Sequence, residues 1–167
     1  MDHYERLGLP RRFSLDDAEI ERHYLARSRE VHPDFFQLGG SLEQRASLEL
    51  SAALNEAYAV LRDTFRRAEY LLLLEGGPTP AAMKEMPAVF LEEMLDLRME
   101  IEQIKQKPES PAFAAIEQRL AQRRDGLIKQ IGDLFSREPG PTRLKEIRRL
   151  LNAAKYMQGL IRDLHAD

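Results

Sequence analysis

Apolar residues in this chain recur at every third or fourth position, and the runs they form are closed by proline or glycine. β-Branched residues are sparse and strict apolar–polar alternation is rare. Such spacing describes amphipathic helices and leaves little material for strands. The expected fold class is all-α.

The first helical pattern is short. Tyr4, Leu7 and Leu9 precede Pro10, which predicts one helical turn ending near Gly8. So short a helix is marginal alone and must dock on later ones. Ser14-Leu15-Asp16-Asp17 has the form of a capping box, with Phe13 before it as a hydrophobic staple. The helix that follows is expected to run to about Val31. Ile20, Tyr24 and Val31 share one face; Arg22 and Arg29, seven apart, share another, with Arg27 nearby. Pro33 and Gly39-Gly40 then mark a loop. Ser41 and Gln44 repeat the capping-box pattern. One long helix follows, with Leu50, Leu54, Ala57, Tyr58, Leu61, Phe65 and Ala68 on its apolar stripe. Two long helices joined by a short loop pack antiparallel. Ile20 and Tyr24 are therefore expected to bury against Leu54, Tyr58 and Leu61.

Gly76-Gly77-Pro78 is the strongest break in the chain. It divides an expected first domain, 1–75, from a linker, 76–86, and a second domain, 87–167. The second domain reads as three helices. One covers roughly Pro87 to Lys105. Ser110-Pro111, a cap followed by proline at the first helical position, opens the next. Pro139-Gly140-Pro141 ends it, and Thr142 is placed to cap the last. Short breaks between three such helices fit an antiparallel bundle.

Composition narrows the function. Of 167 residues, 43% are hydrophobic and 32% charged, a globular balance, and a formal net charge of -3 does not advertise nucleic-acid or membrane binding. There is no cysteine, which excludes disulfides, thiolate catalysis and cysteine metal sites. His3, His23, His32 and His165 lack metal-binding spacing, and there is no glycine-rich phosphate loop. No cofactor is expected. The opening Met-Asp-His-Tyr-Glu is acidic and lacks an apolar signal region, and the run Leu71 to Leu74 is too short to span a bilayer. The expectation is a cytoplasmic protein.

The chemistry-bearing feature is His32-Pro33-Asp34, set between two helical patterns. Proline cannot extend a helix and restrains the residue before it, so an imidazole and a carboxylate stand around a stiff corner. A histidine beside a carboxylate can act as a base, but no nucleophile or pocket-forming framework accompanies this pair. Taken alone, Asp34 could simply cap the loop, and the arginines could be a solvated face.

The surroundings resemble a J-domain, the module by which co-chaperones engage an Hsp70. The resemblance runs through Tyr4-Glu5-Arg6-Leu7-Gly8-Leu9, the basic second helix, His32-Pro33-Asp34, and Leu54-Asn55-Glu56-Ala57-Tyr58-Ala59-Val60-Leu61. The whole chain resembles the bacterial HscB family, J-type co-chaperones of iron–sulfur cluster assembly. Arg67-Ala68-Glu69-Tyr70-Leu71-Leu72 looks like that family's junction between domains. Phe90-Leu91-Glu92-Glu93-Met94-Leu95-Asp96-Leu97-Arg98 looks like the first helix of its C-terminal three-helix domain. The resemblance implies a J-domain hairpin followed by that bundle.

It also implies two partners. His32, Pro33 and Asp34, with Arg22, Arg27 and Arg29, would meet an HscA-like Hsp70 and trigger ATP hydrolysis there, so that the chain itself is not an enzyme. Leu91, Leu95, Asp96 and Arg98 would bind an IscU-like cluster scaffold. Periodicity alone also allows Leu91 and Leu95 to be bundle core. Three positions depart from the family pattern: Glu92 stands where an apolar residue is frequent, Met99 where an acidic one contributes, and Arg149 near an aromatic position. Two other readings remain: a general J-domain co-chaperone recruiting a different client, and a purely structural helical adaptor.

Overall fold

In the computed structural model the described residues are 1–32, 34 and 37–166. Among them lie seven α-helices and no strand: α1 His3–Leu7, α2 Asp17–Val31, α3 Ser41–Arg62, α4 Thr64–Leu74, α5 Ala88–Ile104, α6 Pro111–Phe135 and α7 Pro141–His165. The chain divides into two compact units, Met1–Leu71 and Leu72–Asp167.

In the first unit α1 and α2 pack on α3. The α2–α3 pair is antiparallel: Tyr24 stacks on Tyr58 with ring centroids 4.2 Å apart, and seven residues further along α2 Val31 meets Ser47 and Ser51. Ile20, Leu54, Ala57 and Leu61 are buried with Tyr4, Leu7 and Phe13, whereas Tyr24 and Tyr58 stay half-buried and Leu50 is exposed. Tyr24 uses its rim position to donate a hydrogen bond to Asn55 Oδ1 at 2.5 Å.

Gly8 caps α1 with φ 67, a left-handed conformation, and a Cβ there would come within 2.9 Å of the Arg27 guanidinium. The left-handed conformation is what favours glycine there, since the Arg27 guanidinium is the far end of a flexible side chain.

Several helix starts differ from the sequence expectation. The N-cap of α2 is Asp16, whose carboxylate accepts from Ala18 N at 3.1 Å, and not Ser14. The N-cap of α3 is Gly40; Gln44 turns back to donate to the carbonyls of Gln37 and Gly39, so the box with Ser41 does not form. Gly140, not Thr142, precedes α7. The long helix expected after Ser41 breaks at Asp63, which has φ -92 and ψ 122. Its carboxylate accepts from Arg66 N at 2.9 Å and its carbonyl from Arg67 N at 2.8 Å, so one residue ends α3 and starts α4.

Arg67 secures that break. It is 5% exposed, donates through Nε to Phe13 O at 2.8 Å and through Nη1 to Leu61 O at 2.6 Å, and lies over the Phe13 ring. Burial lowers its pKa from the usual arginine value, but the carbonyls of Phe13 and Leu61 accept hydrogen bonds from its N–H groups.

The second unit is a three-helix bundle. Glu93 and Glu100 of α5 pair with Arg123 and Arg119 of α6, an antiparallel order. Glu117 and Arg124 of α6 meet His165 and Gln158 of α7, again antiparallel. Met94, Leu97, Ile101, Phe113, Ile116, Leu120, Met157, Leu160 and Leu164 form one core. Ser110 caps α6 by accepting from Phe113 N, with Pro111 at the first helical position.

Candidate functional site

Two exposed surfaces carry the residues singled out by sequence. The first is at the end of α2. His32 leaves the helix with φ -60 and ψ 133, the extended conformation that a residue before proline prefers. The helix end is held from α3: the hydroxyls of Ser47 and Ser51 donate to Val31 O at 2.7 and 3.3 Å. That carbonyl has no partner in its own helix, and two side chains of the neighbouring helix satisfy it.

His32 and Asp34 face each other across the corner. Asp34 N donates to His32 Nδ1 at 3.2 Å, and the same nitrogen is 3.4 Å from Asp34 Oδ2. One ring nitrogen cannot serve both contacts at once. With Nδ1 unprotonated the ring accepts from the backbone; with a proton on Nδ1 it donates to the carboxylate instead. Gln37 Nε2 donates to Asp34 Oδ1 at 3.3 Å, and Gln44 in turn holds the Gln37 and Gly39 carbonyls. Asp34, Gln37, Gln44 and Leu48 line an open groove of about 250 Å³. The side chains of His32 and Asp34 are 53% and 73% exposed, so both are available to a partner. Pro33 lies outside the described residues.

Arg22 and Arg29 are exposed along one face of α2. Leu25, between them in the three-and-four spacing, is exposed too, and sequence reasoning overlooked it. Arg27 is not part of that row. Its guanidinium lies against Gly8, at the carbonyl end of α1, and pairs with Glu30 at 3.8 Å. A cation there complements the helix dipole.

The second surface is on α5, a helix apolar on two faces. Met94, Leu97 and Ile101 point into the bundle core. Leu91, Leu95 and Met99, spaced by four, are 40%, 62% and 66% exposed. Asp96 and Arg98 are exposed beside them, and Arg98 Nη1 is 3.9 Å from Asp163 Oδ2 of α7. Met99 thus extends the leucine pair into an uninterrupted apolar row, and Arg149 on α7 is exposed. Among the described residues no group of three or more His, Asp or Glu is placed to hold a metal ion.

Residues 2–70 match the family model described as the DnaJ domain, and residues 86–165 match the HSCB C-terminal oligomerisation domain. The fold is similar to that of the chaperone HscB from Vibrio cholerae, with 24% identity, a TM-score of 0.84, and coverage of 98% of this chain and 95% of that one. It is equally similar to the crystal structure of the human co-chaperone protein HscB, with 25% identity, a TM-score of 0.84, and coverage of 98% and 80%.

Proposed function

This chain belongs to the HscB family of J-domain co-chaperones, and from that membership we propose that it stimulates the ATPase of an HscA-like Hsp70 while delivering an IscU-like iron–sulfur scaffold to it. ATP is hydrolysed in the partner, and the chain contributes recognition groups and no reaction of its own. Residues 1–75 engage the Hsp70, residues 87–167 the scaffold, and residues 76–86 connect them.

The observation that carries the reading is the presence, on separate units of one chain, of an exposed His32–Asp34 pair and an exposed leucine row on α5. His32, Pro33 and Asp34 form the trigger. Arg22 and Arg29 guide association with an acidic surface, and Arg27 contributes from the neighbouring face. Leu91 and Leu95 are the apolar anchors for the scaffold, with Asp96 and Arg98 orienting it. The protein acts in the cytoplasm, away from nucleic acid and membranes; no helix among the described residues is long and apolar enough to cross a membrane.

Single-turnover ATP hydrolysis by the Hsp70 tests the reading, with this chain alone, with the scaffold alone and with both. Stimulation by the chain and a further increase with the scaffold are expected. Stimulation without a scaffold response would instead assign the second unit to a different client. No stimulation in any mixture would overturn the co-chaperone role.

A further inference from the structure

The six methionines of this chain are not equally placed. Met94 and Met157 are buried in the core of the second unit, at 2% and 0% exposure, and Met83 and Met86 are half-buried. Met99 is 66% exposed, and apart from Met1 no other methionine is open to that degree. Its place on α5 is the one that continues the leucine row. Leu91, Leu95 and Met99 lie four residues apart, a strip of about 12 Å along the helix. The chain has no cysteine. Met99 therefore carries the most exposed sulfur of the second unit, and carries it on the scaffold-facing row.

A thioether at this position has two properties that leucine lacks. It is flexible and polarizable, so it adapts to an apolar partner surface. It is also oxidisable. A peroxide transfers one oxygen atom to Sδ: the O–O bond breaks, an S–O bond forms, the sulfur gives up two electrons, and water or an alcohol leaves. The product is a polar sulfoxide on the same side chain. In the free chain that oxygen stands in water and leaves the core contacts of Met94, Leu97 and Ile101 intact. Against an apolar partner it loses its water and weakens the contact. Oxidation here therefore acts on binding and not on folding.

We propose that Met99 is a third apolar anchor for the scaffold beside Leu91 and Leu95, and a modification site at which peroxide oxidation to the sulfoxide weakens scaffold binding. The inference rests on the scaffold reading and adds a redox control to it. Position selects this methionine. Met94 and Met157 are shielded until the bundle opens, and Met1 belongs to the other unit. Methionine sulfoxide reductases, one for each sulfoxide epimer, return the thioether, so the change is reversible.

The test treats the full chain alone with hydrogen peroxide, removes the peroxide, and then titrates the scaffold by calorimetry, beside peptide mass spectrometry and thermal unfolding. Met99 is expected to oxidise well before Met94 and Met157, with the unfolding temperature unchanged. The oxidised wild type is expected to bind the scaffold about tenfold more weakly, a loss typical of an interface anchor. Treatment with the two reductases should restore the affinity. Met99→Leu, whatever its starting affinity, should keep it through the same peroxide treatment, which separates Met99 from Met1. Met99→Gln, polar without oxidation, should bind about tenfold more weakly than the untreated wild type. Equal peroxide losses in the wild type and Met99→Leu, or full oxidation of Met99 with unchanged affinity, would overturn the proposal and leave the scaffold reading standing. Oxidation of Met99 no faster than that of the buried pair would overturn it too. Absence of scaffold binding by the untreated wild type would overturn both.

Discussion

The buried hydroxyl of Ser47 on α3 donates to the carbonyl of Val31 at 2.7 Å, one residue before His32. The last turn of α2 is therefore held from the neighbouring helix, and the direction in which His32 leaves depends on α3. Ser51 adds a longer bond to the same oxygen, at 3.3 Å.

Ser47→Ala should cost about 1 kcal/mol of stability in the first unit, the usual net value of a buried hydrogen bond. Ser51→Ala should cost less, because its bond is longer and less buried. Both are measured by urea unfolding. Stimulation of the Hsp70 should fall with Ser47→Ala more than with Ser51→Ala if the helix end orients the trigger. Equal activity of the two variants would separate the bond from function.

His32→Gln should abolish most of the Hsp70 stimulation and leave the fold intact. The ring is more exposed than buried, so its loss should shift unfolding by less than about 0.5 kcal/mol. Circular dichroism checks the fold and single-turnover hydrolysis the activity. A folded variant with wild-type stimulation would remove His32 from the trigger.

Reversing Arg22 and Arg29 to glutamate should slow association with the Hsp70 by about tenfold at low salt, and the deficit should narrow as salt is raised. Arg27→Ala should behave differently, lowering the unfolding temperature of the first unit because its guanidinium lies against the end of α1. Stopped-flow association and thermal unfolding, run on the same samples, distinguish the two effects.

Leu91→Ala/Leu95→Ala should weaken scaffold binding by more than about 2 kcal/mol if the pair is an interface hot spot. Being exposed, the two leucines should add little to thermal stability, unlike Leu97 on the core face of the same helix. Calorimetry with parallel unfolding decides it. Unchanged affinity would reject the pair as anchors.

The first unit should lose stability as pH falls below about 6.5. His3 stacks on Tyr70 with centroids 4.3 Å apart, and burial holds its imidazole below the ordinary value of 6.5 against the pull of Glu56 and Asp2. A histidine whose pKa is depressed by folding binds its proton more readily in the unfolded chain. Its contribution is thus complete above the unfolded pKa and disappears as pH falls through the folded one. His3→Phe should flatten that part of the pH–stability curve, followed by denaturant midpoints between pH 5 and 8.

What was legible in the amino-acid order was local. Helix spans follow from apolar spacing, and their ends from Gly8, Ser110-Pro111 and the proline–glycine breaks, because backbone preferences act within a turn or two of the residue that sets them. His32-Pro33-Asp34 stood out for the same reason: proline, next in the chain, restricts the histidine before it.

What only the tertiary structure decided depends on distant partners. Asp63 breaks the long helix beside Arg67, whose Nε bonds Phe13, 54 residues away, and no local spacing encodes that bond. In α5 two apolar faces alternate with equal regularity. Periodicity reports that both are apolar, but burial is a property of what lies opposite. Only packing against α6 and α7 puts Met94, Leu97 and Ile101 inside and leaves Leu91, Leu95 and Met99 outside.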